Sequence, residues 1–184
     1  MKRHSTLIIA FVLLLGHYAS AQTPPKPDIL NEISYYKKSD NSLLKLERGT
    51  AQYVTKTKML GYGGASTNYV LDGDKSPVRL TVADSLTFVV AVSDDGIDLS
   101  TYYLLYKASV KKKKRSGALS SMKVFGGASS SSKDVVPFIV RKRNGQVYEI
   151  VPTTKLNKGE YFFVKAASLS SGVAASDAFA FGID

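Results

Sequence analysis

The sequence predicts an all-β fold, a single antiparallel β-sandwich of about eight to ten strands. Three observations carry that expectation. Two apolar runs, VVPFIVRKR and VYEIV, flank Asn144-Gly145, a dipeptide that supplies the positive φ angles of a type I′ hairpin turn. Leu156, Gly159 and Tyr161 then follow in the order L-x-x-G-x-Y before another aromatic strand. That order is the signature of a tyrosine corner, in which a Tyr at a strand start hydrogen-bonds back to upstream backbone. The rest of the chain offers short β-rich runs separated by turn residues and almost no helical periodicity.

Residues 1–21, MKRHSTLIIAFVLLLGHYASA, place Lys2 and Arg3 before an apolar stretch that Ala19-Ser20-Ala21 closes. A basic head, an apolar middle and an A-x-A end predict a secretory signal peptide cleaved before Gln22. The apolar run is shorter than the roughly 18 residues a membrane-spanning helix needs, so no transmembrane segment is expected in the mature protein. Export to the periplasm or the extracellular space is the expected localisation.

Cleavage removes His4 and His17, the two histidines of the chain, and the sequence has no Cys and no Trp. Ser-His-Asp and Cys-His catalysis, His or Cys zinc sites, haem, iron–sulfur clusters and blue copper all need residues that the mature chain lacks. No cofactor is called for. Residues 22–31, with three prolines in QTPPKPD, read as an extended leader, and residues 32–184 as one domain held by its core rather than by disulfides.

Within that domain, ISYYKK and LLKLE flank the turn-rich Ser39-Asp40-Asn41-Ser42 and predict a first hairpin. A helix starting over residues 43–47 is the competing reading, but the β-branched Val54, Thr55 and Thr57 give little support for continuing one. Gly61, Gly63 and Gly64 lack both the GK[ST] ending and the GxGxxG spacing of phosphate loops and read as a turn or bulge. TNYVL, PVRLTV and SLTFVVAV follow as three strands, and the nearly unbroken apolar run from Leu86 to Val92 belongs in the middle of a sheet. Tyr102 to Lys107 reads as a strand with aromatics on both faces. In DAFAFGID, Phe179, Phe181 and Ile183 alternate with small residues and predict a closing C-terminal strand.

Two charge clusters are the candidate sites. Asp94, Asp95 and Asp98 around Gly96 are the calcium candidates, although the alternating ligands and distal Glu of an EF-hand are missing. The same residues also make an ordinary turn. The second cluster is Lys111, Lys112, Lys113, Lys114 and Arg115. It lies in a 35-residue interval, residues 99–133, that holds eight cations and no carboxylate. The mature chain carries 23 Lys and Arg against 15 Asp and Glu; outside this interval the two counts are equal. Such a run reads either as a solvated strand end that discourages edge pairing or as a site for a polyanion, with binding that falls steeply as salt rises. Gly126-Gly127 and Ser129 to Ser132 beyond it look like a mobile loop. Arg141, Lys142 and Arg143 lie beside the final hairpin turn, on alternating faces.

Through Leu156, Gly159, Tyr161 and the strand spacing, the chain resembles small exported immunoglobulin-like, Greek-key β-sandwich proteins of Gram-negative bacteria. The resemblance implies a fold and a compartment but no activity. The functional expectation is an exported, non-catalytic binding or structural module. Its basic loop would meet an anionic partner such as lipopolysaccharide, an acidic glycan or nucleic acid. A carboxylate-only hydrolase drawing on Asp94, Asp95, Asp98, Glu149 and Glu160 is one alternative. A subunit of a surface assembly that pairs through a strand edge is the other.

Overall fold

The computed structural model describes residues 23–57, 65–81, 86–94, 96–123, 127–129, 134–166 and 175–184. The signal-peptide reading, Gly61, Gly63, Gly64, Asp95, residues 130–132 and Lys133 lie outside the described residues. In chain order the first strands are β1 (Ile33–Lys37), β2 (Ser42–Lys45), β3 (Glu47–Thr57), β4 (Ala65–Asp72), β5 (Arg79–Leu80) and β6 (Phe88–Ala91). A one-turn helix, α1 (Leu99–Tyr102), leads into β7 (Tyr103–Lys107), β8 (Ser109–Lys111), β9 (Lys114–Lys123) and β10 (Gly127–Ser129). The chain ends with β11 (Val135–Val136), β12 (Phe138–Asn144), β13 (Val147–Pro152), β14 (Gly159–Lys165) and β15 (Ala175–Ile183). These strands outnumber the eight to ten expected because several are pieces of two to four residues.

The strands form two sheets. The first is antiparallel, in the order β12-β13-β6-β1-β2. All four residues of β6 are buried, as an apolar run with no polar interruption requires when it sits centrally with both faces covered. The second sheet runs β10-β9-β4-β3-β15-β14-β7-β11. The two-residue β5 adds to β15 in parallel, so among the described residues 77–81 of PVRLTV only Arg79 and Leu80 are strand. Ala108 carries the end of β7 into β8, and β8 pairs with β9. The sheet therefore curls back towards its own far strand as a half-barrel.

Three apolar clusters follow from this layering. Between the sheets, the Phe88 ring of β6 lies 5.0 Å from Phe163 of β14 and 4.9 Å from Phe181 of β15, with Ile33, Ile150, Leu105 and Ile183 around them. Inside the half-barrel, Tyr69, Tyr106, Phe162, Val164, Ala178 and Ala180 pack together. The alternation in β15 is thus borne out with an addition: its phenylalanines face one cluster and its alanines the other. Gly117 makes the curl possible, since a Cβ there would lie 2.6 Å from Cδ1 of Tyr106. The third cluster, Tyr36, Val89, Ala91 and Val147, is on the outer face of the first sheet. Pro24 and Pro27 of the leader are buried, and the leader borders Ser34 and Leu43 on one side and residues 144–147 on the other. The Pro-rich segment is therefore a strap over that face.

The tyrosine corner forms as its sequence order predicts. The Tyr161 hydroxyl donates to the Asn157 carbonyl at 2.7 Å, Leu156 is buried in the inter-sheet core, and Gly159 has a φ of 149°, a value that favours glycine. The first hairpin, β1–β2, also forms, with Asn41 in the left-handed region, and the competing helix over residues 43–47 does not. The Asn144-Gly145 hairpin forms with different turn chemistry. Asn144 pairs with Val147, only Gly145 has positive φ, and the register shifts at Arg143. Gly145-Gln146 is the two-residue connection, with the single positive φ of a II′ turn rather than the two of I′.

Candidate anion-binding site

The basic run folds into a hairpin. β8 and β9 are joined by Lys112 and Lys113 alone, with φ of 52° and 57°. Two positive φ angles define the type I′ geometry that matches the twist of the flanking strands, and Asn-Gly or Gly-Gly adopt it most cheaply. Two lysines hold it here, where left-handed backbone costs a residue with a Cβ about 1 kcal/mol or more each. Lys111 and Lys114 are directly opposed across the ladder, a like-charge pairing that is itself destabilising. The tip thus concentrates four exposed ammonium groups against both local preferences.

Arg115 departs from its neighbours. It is 1% exposed, so the reading of residues 111–115 as one solvated basic run is corrected to four lysines. The cause is alternation: Val110 and Arg115 are paired on the opposite face from Lys111 and Lys114, and on β9 that face turns into the half-barrel. There the Arg115 guanidinium donates to both carboxylate oxygens of Glu47 at 2.7 and 2.8 Å and to the carbonyls of Asp72 and Gly73. Glu160, itself buried, lies 4.0 Å away; it accepts from the Ser76 backbone N–H and pairs with Arg79. Arg79 also bonds Asp184. Burial raises the Glu47 pKa, but the hydrogen bonds from Arg115 and Ser76 outweigh it and hold the carboxyl below its ordinary value. The hairpin base is therefore locked by an ionic network that is buried at Arg115 and Glu160, reaches the surface at Asp184, and has its charges paired.

Beside the tip, a cavity of about 280 Å³ is lined by Lys56, Val70, Lys111, Lys112, Lys114 and Ser116. The β3–β4–β9–β8 order brings them together, with Val70 facing Ser116 and Ser116 facing Ser109. Lys114 is paired with the exposed Asp72 at 3.3 Å. Lys56 had no sequence signal, since an isolated lysine in a β-rich stretch is ordinary surface. Lys107 is exposed at the end of β7, whereas Lys123 ends β9 at the pole away from the hairpin. Arg141, Lys142 and Arg143 are on β12 of the other sheet; Arg143 pairs with Glu149, and Lys142 sits 5.7 Å from the Tyr148 ring centre. They do not line the cavity.

The acidic candidates have local roles. The Asp94 carboxylate accepts from the Gly96 backbone N–H at 2.9 Å. Asp98 caps α1, accepting from the backbone and hydroxyl of Ser100, and these bonds hold its pKa low. Among the described residues no three His, Cys, Asp or Glu side chains gather to hold a metal. Glu149 and Glu160 are 5% and 6% exposed, each bound to an arginine and on different sheets. Set against known protein families, curated proteins and solved structures, the chain gives no match, so its reading rests on its own geometry.

Proposed function

We propose that the protein is an exported, non-catalytic binding module that presents the β8–β9 hairpin to an anionic partner such as lipopolysaccharide, an acidic glycan or nucleic acid. The observation that carries this reading is the left-handed conformation of both Lys112 and Lys113. A hairpin needed only to connect two strands is better served by Asn-Gly, and backbone held in unfavourable regions clusters at functional positions. The buried Arg115–Glu47 pair supports it further, because it anchors the base from which the lysines project. The carboxylates of a hydrolase reading are already committed: Asp94 and Asp98 to a turn and a cap, Glu149 and Glu160 to arginines. The tyrosine corner formed by Tyr161 and Asn157 supports assigning the sandwich to the immunoglobulin-like, Greek-key kind.

The test replaces the four lysines 111–114 with Gln and spares Arg115. Retention on heparin, DNA and lipopolysaccharide is then compared across a salt series, with circular dichroism confirming equal folding. Salt-sensitive retention that disappears in the variant supports the proposal, and equal retention refutes it. A second reading, assembly through a strand edge, is favoured by one observation: β12 ends the first sheet with Ile139 41% exposed. A concentration-independent monomer in sizing experiments would exclude self-pairing there.

A further inference from the structure

The cavity beside the hairpin separates recognition of a discrete group from diffuse attraction between a basic tip and a polymer. Lys111, Lys112 and Lys114 reach it from the hairpin, and Lys56 reaches it from β3, more than fifty residues earlier in the chain. Among the described residues Lys114 has a carboxylate neighbour, Asp72, and Lys56, Lys111 and Lys112 have none. Ammonium groups converging on one concavity, three of the four without a carboxylate neighbour among the described residues, raise the local potential more than the same charges spread over a surface. Lys113 is at the same tip but does not line the cavity.

Size and lining narrow the ligand. At about 280 Å³ the cavity falls just below the roughly 300–1,000 Å³ of sites that enclose a whole drug-sized molecule, so it suits one charged unit of a larger ligand. Its walls are Val70, lysine stems and Ser116, and the Ser116 hydroxyl donates to the Ser109 carbonyl. Among the described residues no aromatic side chain lines it, so they offer none of the stacking platform that single-stranded nucleic acids use. Three-donor ammonium groups suit a tetrahedral oxyanion with several acceptor oxygens.

We infer that Lys56, Lys111, Lys112 and Lys114 form a binding site for the phosphate or sulfate ester group of a sugar unit. This rests on the anion-binding reading above and deepens it. The same ester chemistry occurs on a soluble glycan and on a glycolipid headgroup.

The experiment titrates the protein with glucose 6-phosphate, glucosamine 6-sulfate, unmodified glucose and a ten-nucleotide oligothymidylate, following binding by calorimetry. Lys56→Gln, Lys56→Arg, Lys112→Gln and Lys113→Gln are measured alongside, with folding checked by circular dichroism. The expected result is binding of the two esters but not of glucose, weakened about tenfold by Lys56→Gln and by Lys112→Gln. Lys56→Arg should retain binding and Lys113→Gln should change it less than about twofold. Heparin columns and lipopolysaccharide vesicles then tell which source carries the group. Equal weakening by Lys113→Gln and Lys56→Gln would overturn the site in favour of diffuse charge, and binding of the oligonucleotide alone would overturn the ligand class. If the four-lysine variant loses heparin retention while Lys56→Gln has no effect, this inference fails and the broader reading stands. If the four-lysine variant keeps full retention, the broader reading fails too.

Discussion

The Arg115 guanidinium closes on the Glu47 carboxylate through two parallel hydrogen bonds of 2.7 and 2.8 Å, joining residues 68 apart in sequence. This pair turns a run of basic residues into a built hairpin: it anchors the strand one residue beyond Lys114, so that of the five basic residues 111–115 the four lysines face solvent and Arg115 does not. Removing one partner strands the other charge in a poorly solvated place. Glu47→Gln should therefore cost about 3 kcal/mol of unfolding free energy, and Arg115→Ala a similar amount. Exchanging both for apolar residues of like volume should cost much less. Urea denaturation of the three variants measures this, and equal losses for the single and double replacements would show that packing rather than charge pairing matters there.

The same pair sets a direction for acid stability. The folded-state pKa of Glu47 is below its ordinary 4.5, so the folded state holds the proton less tightly than the unfolded chain does. Its contribution is present above about pH 4.5 and is lost as the pH falls through the folded value. Asp177, held low first by its hydrogen bond from Lys165, acts in the same sense. Urea midpoints should fall steadily below about pH 5, and Glu47→Gln should flatten that fall. An unchanged slope in the variant would remove Glu47 from the acid response.

Replacing the turn lysines with the residues the turn geometry prefers separates stability from binding. Lys112→Asn with Lys113→Gly should raise stability by about 1–2 kcal/mol, because glycine and asparagine adopt left-handed backbone at lower cost. It should also lower the salt concentration that elutes the protein from heparin. Thermal melts and heparin elution, read on the same variant, should move in opposite directions.

The tyrosine corner can be tested by removing one atom. Tyr161→Phe deletes the hydroxyl that donates to Asn157 while keeping the ring stacked 5.5 Å from Phe181. The expected loss is about 1 kcal/mol, the usual net worth of a hydrogen bond whose acceptor can turn to water. Burial pushes the Tyr161 phenol pKa up, so alkaline difference spectra should show fewer tyrosines ionising near pH 10 than the chain contains.

Much of the architecture was legible because it rests on local pattern. The unbroken apolar run of β6, the alternation of β15 and the L-x-x-G-x-Y order each encode a face or a turn within a few residues, and each forms as read. The site was less legible. Its central turn uses Lys-Lys where turn chemistry gives no signal, and a two-residue connection decides which basic residues face outward. Arg115 looked like the fifth member of a run because burial of a charge depends on Glu47, supplied by another strand. Lys56 reaches the cavity through the sheet order, which no spacing in the sequence encodes. The α1 turn was hidden for the opposite reason: Asp98 serves it as a cap, and the same Asp-rich stretch also fits a plain loop.

The most direct measurement is the salt concentration at which the protein leaves heparin, compared with the variant carrying Gln at the four lysines 111–114 and an intact Arg115. Both proteins should melt within a few degrees of each other, with the wild type eluting at clearly higher salt. The wild-type binding constant should also depend more steeply on salt, by several counterions. Coincident elution of two equally folded proteins would contradict anion binding by the hairpin and leave its lysines as a solvated strand end.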